Sequence, residues 1–516
     1  MINTWWVTRP KRKLDSIPEV LALIAEHSLD EQWSGERDTH LAVEKALEDA
    51  GLKRSGDRRD QRGGGARTYY AWLKSLGLVF QYNGQMKLTL AGEAIINGDS
   101  PVSVLRGQVL KYQFPSSFSL SRNVEVNPQF KIHPFWFLLR LLRDMRLGYY
   151  LSQEEIGRVV IEEALNESDS TYEKVVRSIL QYREDGAIQN VSEFVEIYGS
   201  TRDKPNPECP FRSFDDTANT FLNWLEYTQF VYRDAGKVAI LPEKISEVDA
   251  IISRRLSFIE RPEDEVFFQR KYGIDPKHDK DTRNLTQSST ITATVIAQNK
   301  VRSAFIAESL KRPIGRIDAS LIDAISDQTG ISERFVEETL YAFYPNGAIS
   351  SFMNNYFQMA FKGREEATDF EKATCELFSS AFGFETHHVG PIGLTPDVLL
   401  ISDGAGYQGI IDNKAYARYS ISNDHHNRMV HNYIRGLRNY SDSPLPLSFF
   451  SYIAGGFSPS INGQISSIIN ETQVSGSAIS VSNVISLVER NQTQTYNHKD
   501  LLRIFSLGRQ VLSTDL

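Results

Sequence analysis

Apolar and polar positions set out the elements of this chain before any chemistry is considered. Val398, Leu399, Leu400 and Ile401 form a short apolar run, Ser402 to Gly406 a glycine-rich turn, and Gly409, Ile410 and Ile411 a second run. Bounded β-branched runs of this length predict two strands of a hairpin. Upstream, Phe370, Leu377, Phe378, Ala381 and Phe382 recur at helical spacing, which predicts a helix over 369–382 packed on a core. Downstream, Met429, Val430, Tyr433, Ile434 and Leu437 predict a further helix within 422–440.

Nearer the amino terminus the periodicity predicts helices over 39–50 and 66–76, followed by a hairpin over 79–88 that turns at Asn83-Gly84. Helices followed by a two-stranded hairpin describe a winged helix. The pattern recurs with helical segments at 136–142, 156–165, 172–182 and 218–225 and a hairpin over 230–240, though without enough identity to be an internal repeat. Residues 261–292 turn charged and polar, as a connector does, and helical segments resume at 299–310, 321–327 and 333–341. The expected class is therefore α+β and multidomain. Mainly helical winged-helix modules come first (1–255), then a connector and helical linker (256–335), then an α/β/α domain (336–516).

Composition narrows the setting. At 516 residues, 41% hydrophobic and 24% charged, the chain has material for about three globular domains. Cys209 and Cys375 build no disulfide framework and have no metal-ligand spacing around them, which points to a reducing cytosol. The amino terminus reaches charge too early for a signal peptide, and no apolar run approaches the ~20 residues of a membrane span. With a net charge of -8, any surface for nucleic acid must be local. Such a surface is offered by Lys53, Arg54, Arg58, Arg59, Arg62 and Arg67 around Gly63-Gly64-Gly65, with Thr68, Tyr69 and Tyr70 on the helix that would enter the major groove. The bland reading is a solvated charged loop. A second basic run, Arg9 to Lys13, is as well explained by a solvated turn as by a backbone contact.

Strand alternation places Asp412 and Lys414 on one face and Asn413 on the other, while Asp397, after Pro396, opens the neighbouring strand. Two carboxylates and a lysine are the minimal equipment for metal-assisted phosphodiester cleavage. The bare pattern is loose, since roughly one chain in ten of this length would show it by chance. Asp275-Pro276-Lys277 is a half-match with no strand around it. On the preceding helix Glu371 shares a face with Cys375, Phe378 and Phe382, whereas Glu376 lies on the solvated side, so Glu371 is the candidate to join the site. His425, His426 and His431 have poor spacing for zinc and read as surface residues. His387 and His388 read as loop residues, with an approach to DNA as the alternative.

The stretch from Glu371 through Pro396-Asp397 and Tyr407 to Tyr419, with its Asp412-x-Lys414-Ala415-Tyr416 core, resembles the cleavage domain of FokI, a type IIS restriction endonuclease. Phe449 to Phe457 and Ser477 to Val481 resemble its later core strands. The front of the chain, through 111–116 and 133–142, is similar to the AlwI and BstNBI group of type IIS enzymes. That resemblance implies a recognition half and a Mg²⁺-dependent cleavage half that cuts double-stranded DNA outside a short asymmetric site, leaving 5′-phosphate and 3′-hydroxyl ends. It further implies Asp397, Asp412 and the Asn413 carbonyl as ligands of Mg²⁺, a hard cation, Lys414 at the attacking water, a bacterial cytoplasm, and a cognate DNA methyltransferase as functional partner. A transient homodimer through the cleavage domain is implied less directly, because the charged pair expected on the 422–440 helix is not clearly present. The rival readings are a strand-specific nicking enzyme and a non-catalytic winged-helix DNA-binding protein.

Overall fold

A computed structural model of the chain describes residues 2–55, 63–120, 125–188, 190–198, 209–272, 281–283, 285, 292–390 and 393–516. They divide into two compact units, Met1–Ala307 with Ser320–Phe343, and Glu308–Ala319 with Tyr344–Leu516. The fold is α+β in both, as the periodicities predict.

In the first unit, helices α1 (Ile17–Ser28), α2 (Arg37–Asp49) and α3 (Gly64–Ser75) precede a hairpin of β1 (Val79–Tyr82) and β2 (Gln85–Leu88). Asn83 and Gly84 both take positive φ, the geometry a two-residue hairpin turn requires. Between α1 and α2 the chain runs beside β2, where Asp30 N donates to Met86 O (2.9 Å) and Trp33 N to Gly84 O (2.9 Å). Isolated bridges of Leu29 with Met86 and of Gln32 with Gln85 dock this segment on the two-stranded sheet, an order of elements that matches a winged helix. α1, absent from the expected elements, buries Val20, Leu21, Ile24 and Ala25 and packs on both α2 and α3.

The same order returns further along. β3 (Tyr150–Ser152) follows the helix Pro134–Leu142, and the helix Arg212–Tyr227 leads into a hairpin of β4 (Val231–Asp234) and β5 (Lys237–Ile240). The resulting sheet is ordered β3-β5-β4. Ala235 and Gly236 supply its positive-φ turn. Trp224 is fully buried in this module, stacked on Phe135 (5.9 Å, 5°). Part of the expected connector is in fact core. The helix Glu265–Tyr272 buries Phe268 and Tyr272, and the Tyr272 hydroxyl donates to Gln108 O (3.1 Å). Of the charged residues that made 261–292 read as a linker, Arg270 and Lys271 lie on that helix's exposed side, Asp281 pairs with Arg283 (2.6 Å), and 273–280, 284 and 286–291 lie outside the described residues.

The second unit is built on a five-stranded sheet ordered β10-β9-β8-β7-β6. Its strands are β6 (Glu385–His388), β7 (Val398–Ser402), β8 (Tyr407–Lys414), β9 (Leu447–Ala454) and β10 (Ser475–Ser480). β6, β7 and β8 run antiparallel; β8, β9 and β10 run parallel. On one face, Leu399, Ile410, Phe450 and Tyr452 pack against Ile461, Ile465 and Ile468 of the helix Ile461–Thr472 and against Met429, Val430 and Tyr433. On the other, Phe378 of the helix Ala367–Phe382 meets Phe505, which stacks on Phe449 (5.1 Å, 13°). The layers are α/β/α. Gly409 is a packing requirement of this sheet, because a Cβ there would lie 2.2 Å from the ring of Phe449, its cross-strand partner. The helix expected within 422–440 is broken into a short α-helix (Asn423–Asn427), a π-helical stretch (Arg428–Ile434) and a 3-10 turn (Leu437–Asn439). Among the described residues no helix is long and apolar enough to cross a membrane.

Candidate active site

β8 is the central strand, buried along nearly its whole length, and its last three residues divide between the two faces of the sheet. Asn413 points to the helix Ala367–Phe382, where its side-chain amide donates to Thr374 Oγ1 (2.6 Å). Asp412 and Lys414 point to the opposite face, and Lys414 Nζ lies 2.6 Å from Asp412 Oδ2. Val398 pairs with Ile411 across the antiparallel ladder, which sets Asp397 beside Asp412. The Asp397 carboxylate is then fixed by the main chain of β8, since Asn413 N donates to Asp397 Oδ2 (2.5 Å).

Glu371 reaches the same place from the helix. A Cβ built at Gly390 would stand 3.1 Å from Glu371 Oε2, 3.6 Å from Asp397 Oδ1 and 3.6 Å from His388 Nε2, so all three atoms surround one point. Glycine keeps that point open. Gly390→Ala is expected to leave the fold intact and to lower any activity of the site by about tenfold or more, since sub-ångström displacement of positioned groups is costly. Cleavage rate against thermal melting temperature measures this.

Three carboxylates, of Glu371, Asp397 and Asp412, thus face one ammonium. Burial, then the charge of Asp412, pushes the Asp397 carboxyl well above its ordinary value, with Glu371 adding to the rise and Lys414 opposing it. Burial pulls the Lys414 ammonium down, but Asp412 and Asp397 outweigh it and hold it above its ordinary value. Asp412 is 2% exposed, and its Oδ1 is buried without a hydrogen-bond partner. An unpartnered buried carboxylate oxygen is costly unless a cation completes it. The donors at hand are oxygens, namely Asp397, Asp412 and the carbonyl of Asn413, a set that suits a hard divalent cation. Lys414 Nζ already contacts two of the three positions, Asp412 Oδ2 and Asn413 O (3.1 Å). Among the described residues no group of three or more His, Cys, Asp or Glu side chains is placed to hold a metal ion, so the candidate ligands are two carboxylates and one main-chain carbonyl. The set fits a cation that keeps part of its water.

Several residues lie where the sequence did not put them. His388 is on edge strand β6 rather than in a loop, and its Nε2 lies 2.9 Å from Glu371 Oε2. His425 is half-buried rather than on the surface. Its Nδ1 is 2.7 Å from the Tyr419 hydroxyl, and burial, then the charge of Lys414, lowers its pKa. His426 and His431 contact Glu471 and Arg435 respectively. Thr374 was not legible at all, because nothing in its own neighbourhood marks it.

In the first unit the expected DNA-facing set separates. Arg54 and Thr68 are exposed, and Arg67 is partly so. Lys53 is instead tied to Glu48 Oε1 (2.6 Å) and Glu44 Oε1 (3.0 Å). Tyr69 is 6% exposed, with its hydroxyl donating to Leu52 O (2.8 Å), and Tyr70 is buried against Trp33 (4.5 Å). These two tyrosines sit with Ala66 and Leu73 on the core stripe of α3, so they anchor the helix and do not face a groove. Arg58, Arg59 and Arg62 lie outside the described residues.

The mixed sheet thus gathers a Pro-Asp carboxylate, an acid-x-Lys strand end and a helix-borne glutamate in one place. Residues 330–512 match the family model described as FokI, cleavage domain, so this segment is similar to a nuclease domain and the chain carries an enzyme. Among solved structures, the chain is similar to the restriction endonuclease FokI at 14% identity, over 99% of this chain and 100% of that one, with a TM-score of 0.29. FokI bound to DNA matches at 13% identity, over 96% and 91%, with a TM-score of 0.29. The BpuJ1 endonuclease binding domain in complex with modified DNA matches at 15%, over 52% of this chain and 95% of that one, with a TM-score of 0.37. A search of curated proteins returns no relative.

Proposed function

We propose that the protein is a type IIS restriction endonuclease that hydrolyses double-stranded DNA in a Mg²⁺-dependent reaction a short distance outside an asymmetric site. The observation that carries this reading is the convergence of Asp397, Asp412, Lys414 and Glu371 at one end of the central strands of a FokI-like domain. Winged-helix modules of the first unit supply the address, with Arg54, Arg67 and Thr68 on the exposed side of the first module.

Asp397, Asp412 and the Asn413 carbonyl would hold Mg²⁺, which when bound supplies a Lewis acid for the charge that grows on the scissile phosphate. Asn413 N keeps Asp397 turned inward, and Thr374 locks the Asn413 side chain so that its carbonyl stays aimed at the site. Lys414, held as an ammonium by the facing carboxylates, orients the attacking water and offers a proton donor to the phosphate; it is not a ready base. Water adds to phosphorus in line with the departing 3′ oxygen and releases its proton to solvent, the P–O3′ bond breaks, the 3′ oxygen takes up a proton from solvent, and the products are a 5′-phosphate and a 3′-hydroxyl. A transient pairing of two cleavage domains cuts both strands.

Supercoiled plasmid treated with the protein and Mg²⁺, followed by sequencing of the ends, tests this directly. Linear product with a fixed offset from a recurrent asymmetric motif is expected. Open circles alone would establish a nicking enzyme, and no cleavage with tight binding would leave a DNA-binding protein.

A further inference from the structure

We propose that His388 is a positioning residue of the nuclease centre, one that holds Glu371 against the centre through its Nε2. The inference rests on the nuclease reading of that centre. It starts from what the three residues 388–390 do together. Val389 N and Gly390 N both donate to the Asp397 carbonyl, at 3.0 and 3.3 Å, so this turn grips the main chain of the Pro-Asp residue. His388, immediately before them, grips the side chain of Glu371 at 2.9 Å. One segment therefore sets the distance between two acids that come from different elements.

Glu371 needs such a grip. It projects from the helix Ala367–Phe382 with three freely rotating side-chain bonds, and its approach to Asp397 works against the repulsion between the two carboxylates. Left alone it would turn toward water. A carboxylate only accepts hydrogen bonds, so His388 donates through Nε2–H to Oε2. Both side chains are mostly buried, 16% exposed for His388 and 19% for Glu371, so solvent does little to loosen the contact. The arrangement is that of an outer residue orienting an acid of the centre, and by analogy with residues that orient metal ligands its removal costs about 10- to 100-fold in activity.

The test uses the full chain and single-turnover cleavage of a plasmid or duplex carrying the site. His388→Leu is expected to slow cleavage by about 10- to 100-fold with unchanged DNA affinity. His388→Gln places an amide N–H where Nε2 stood and is expected to restore cleavage. His388→Asn, one bond shorter, is expected not to. In a Glu371→Ala background, His388→Leu is expected to have no additional effect, because the residue acts only through Glu371. Wild-type cleavage by His388→Leu, equal rescue by Gln and Asn, or a full extra loss in the double variant would each overturn the assignment. Should His388→Leu fail to fold, the Gln and Asn variants decide it alone. Asp397→Ala separates the two layers of argument. If it still cuts, the nuclease reading of the centre fails; if it is dead while His388→Leu is fully active, only the role of His388 fails.

Discussion

Asp412→Asn is expected to bind its DNA as the native chain does and to cut it about a thousandfold more slowly, a loss of ~4 kcal/mol of transition-state stabilisation. The change is nearly isosteric, and the residue sits on a central strand whose ladder to β7 and β9 does not use the side chain. The fold therefore survives. What is lost is the one negative charge placed deepest in the centre, together with the oxygen that has no protein partner. Lys414 also loses its ion-pair partner at 2.6 Å and with it the restraint that aims the ammonium. Binding is checked by mobility shift in chelated buffer and cleavage by single-turnover rate with Mg²⁺. A rate within tenfold of native would mean that Asp412 is a buried structural acid and that the centre lies elsewhere.

Much of that centre was legible because its signals are local. The two-residue period of a strand put Asp412 and Lys414 on one face, and the structure shows Asn413 turned to the other. The Asn83-Gly84 hairpin was legible for the same reason, since both residues carry the positive φ that their identity permits. What failed depended on partners far along the chain. His388 read as a loop residue because Glu385-Thr386-His387-His388 carries no apolar alternation; an edge strand exposed to water needs none. Tyr69 and Tyr70 were assigned to a groove because basic residues surround them in sequence. Yet Ala66, Tyr69, Tyr70 and Leu73 follow the three-and-four spacing of a buried stripe, and that periodicity outranks the composition of the neighbours. The break of the 422–440 helix into a π-helical stretch has no sequence signal we can identify.

Lys414→Met has the second large effect, on stability as well as on rate. In chelated buffer the substitution is expected to destabilise the second unit by about 3 to 5 kcal/mol, because it removes the cation that pairs with a buried carboxylate. Asp412 has a side chain 3% exposed and cannot turn to water, while Asp397 is held in place by Asn413 N. With the ammonium gone, the two acids repel each other in a buried site. All six tryptophans, from Trp5 to Trp224, belong to the first unit, so their fluorescence follows that unit alone. Scanning calorimetry follows both, and the transition that fluorescence does not see is the one expected to shift. Two controls locate the cause. Lys414→Met with Asp412→Asn is expected to recover most of the lost stability while remaining unable to cut, since the repulsion is gone and the chemistry is not restored. Mg²⁺ is expected to stabilise Lys414→Met more than the native chain, because a bound cation takes over the neutralising role and stabilises by mass action. A Lys414→Met protein as stable as native in chelator, or indifferent to Mg²⁺, would show that these carboxylates do not share a cation site.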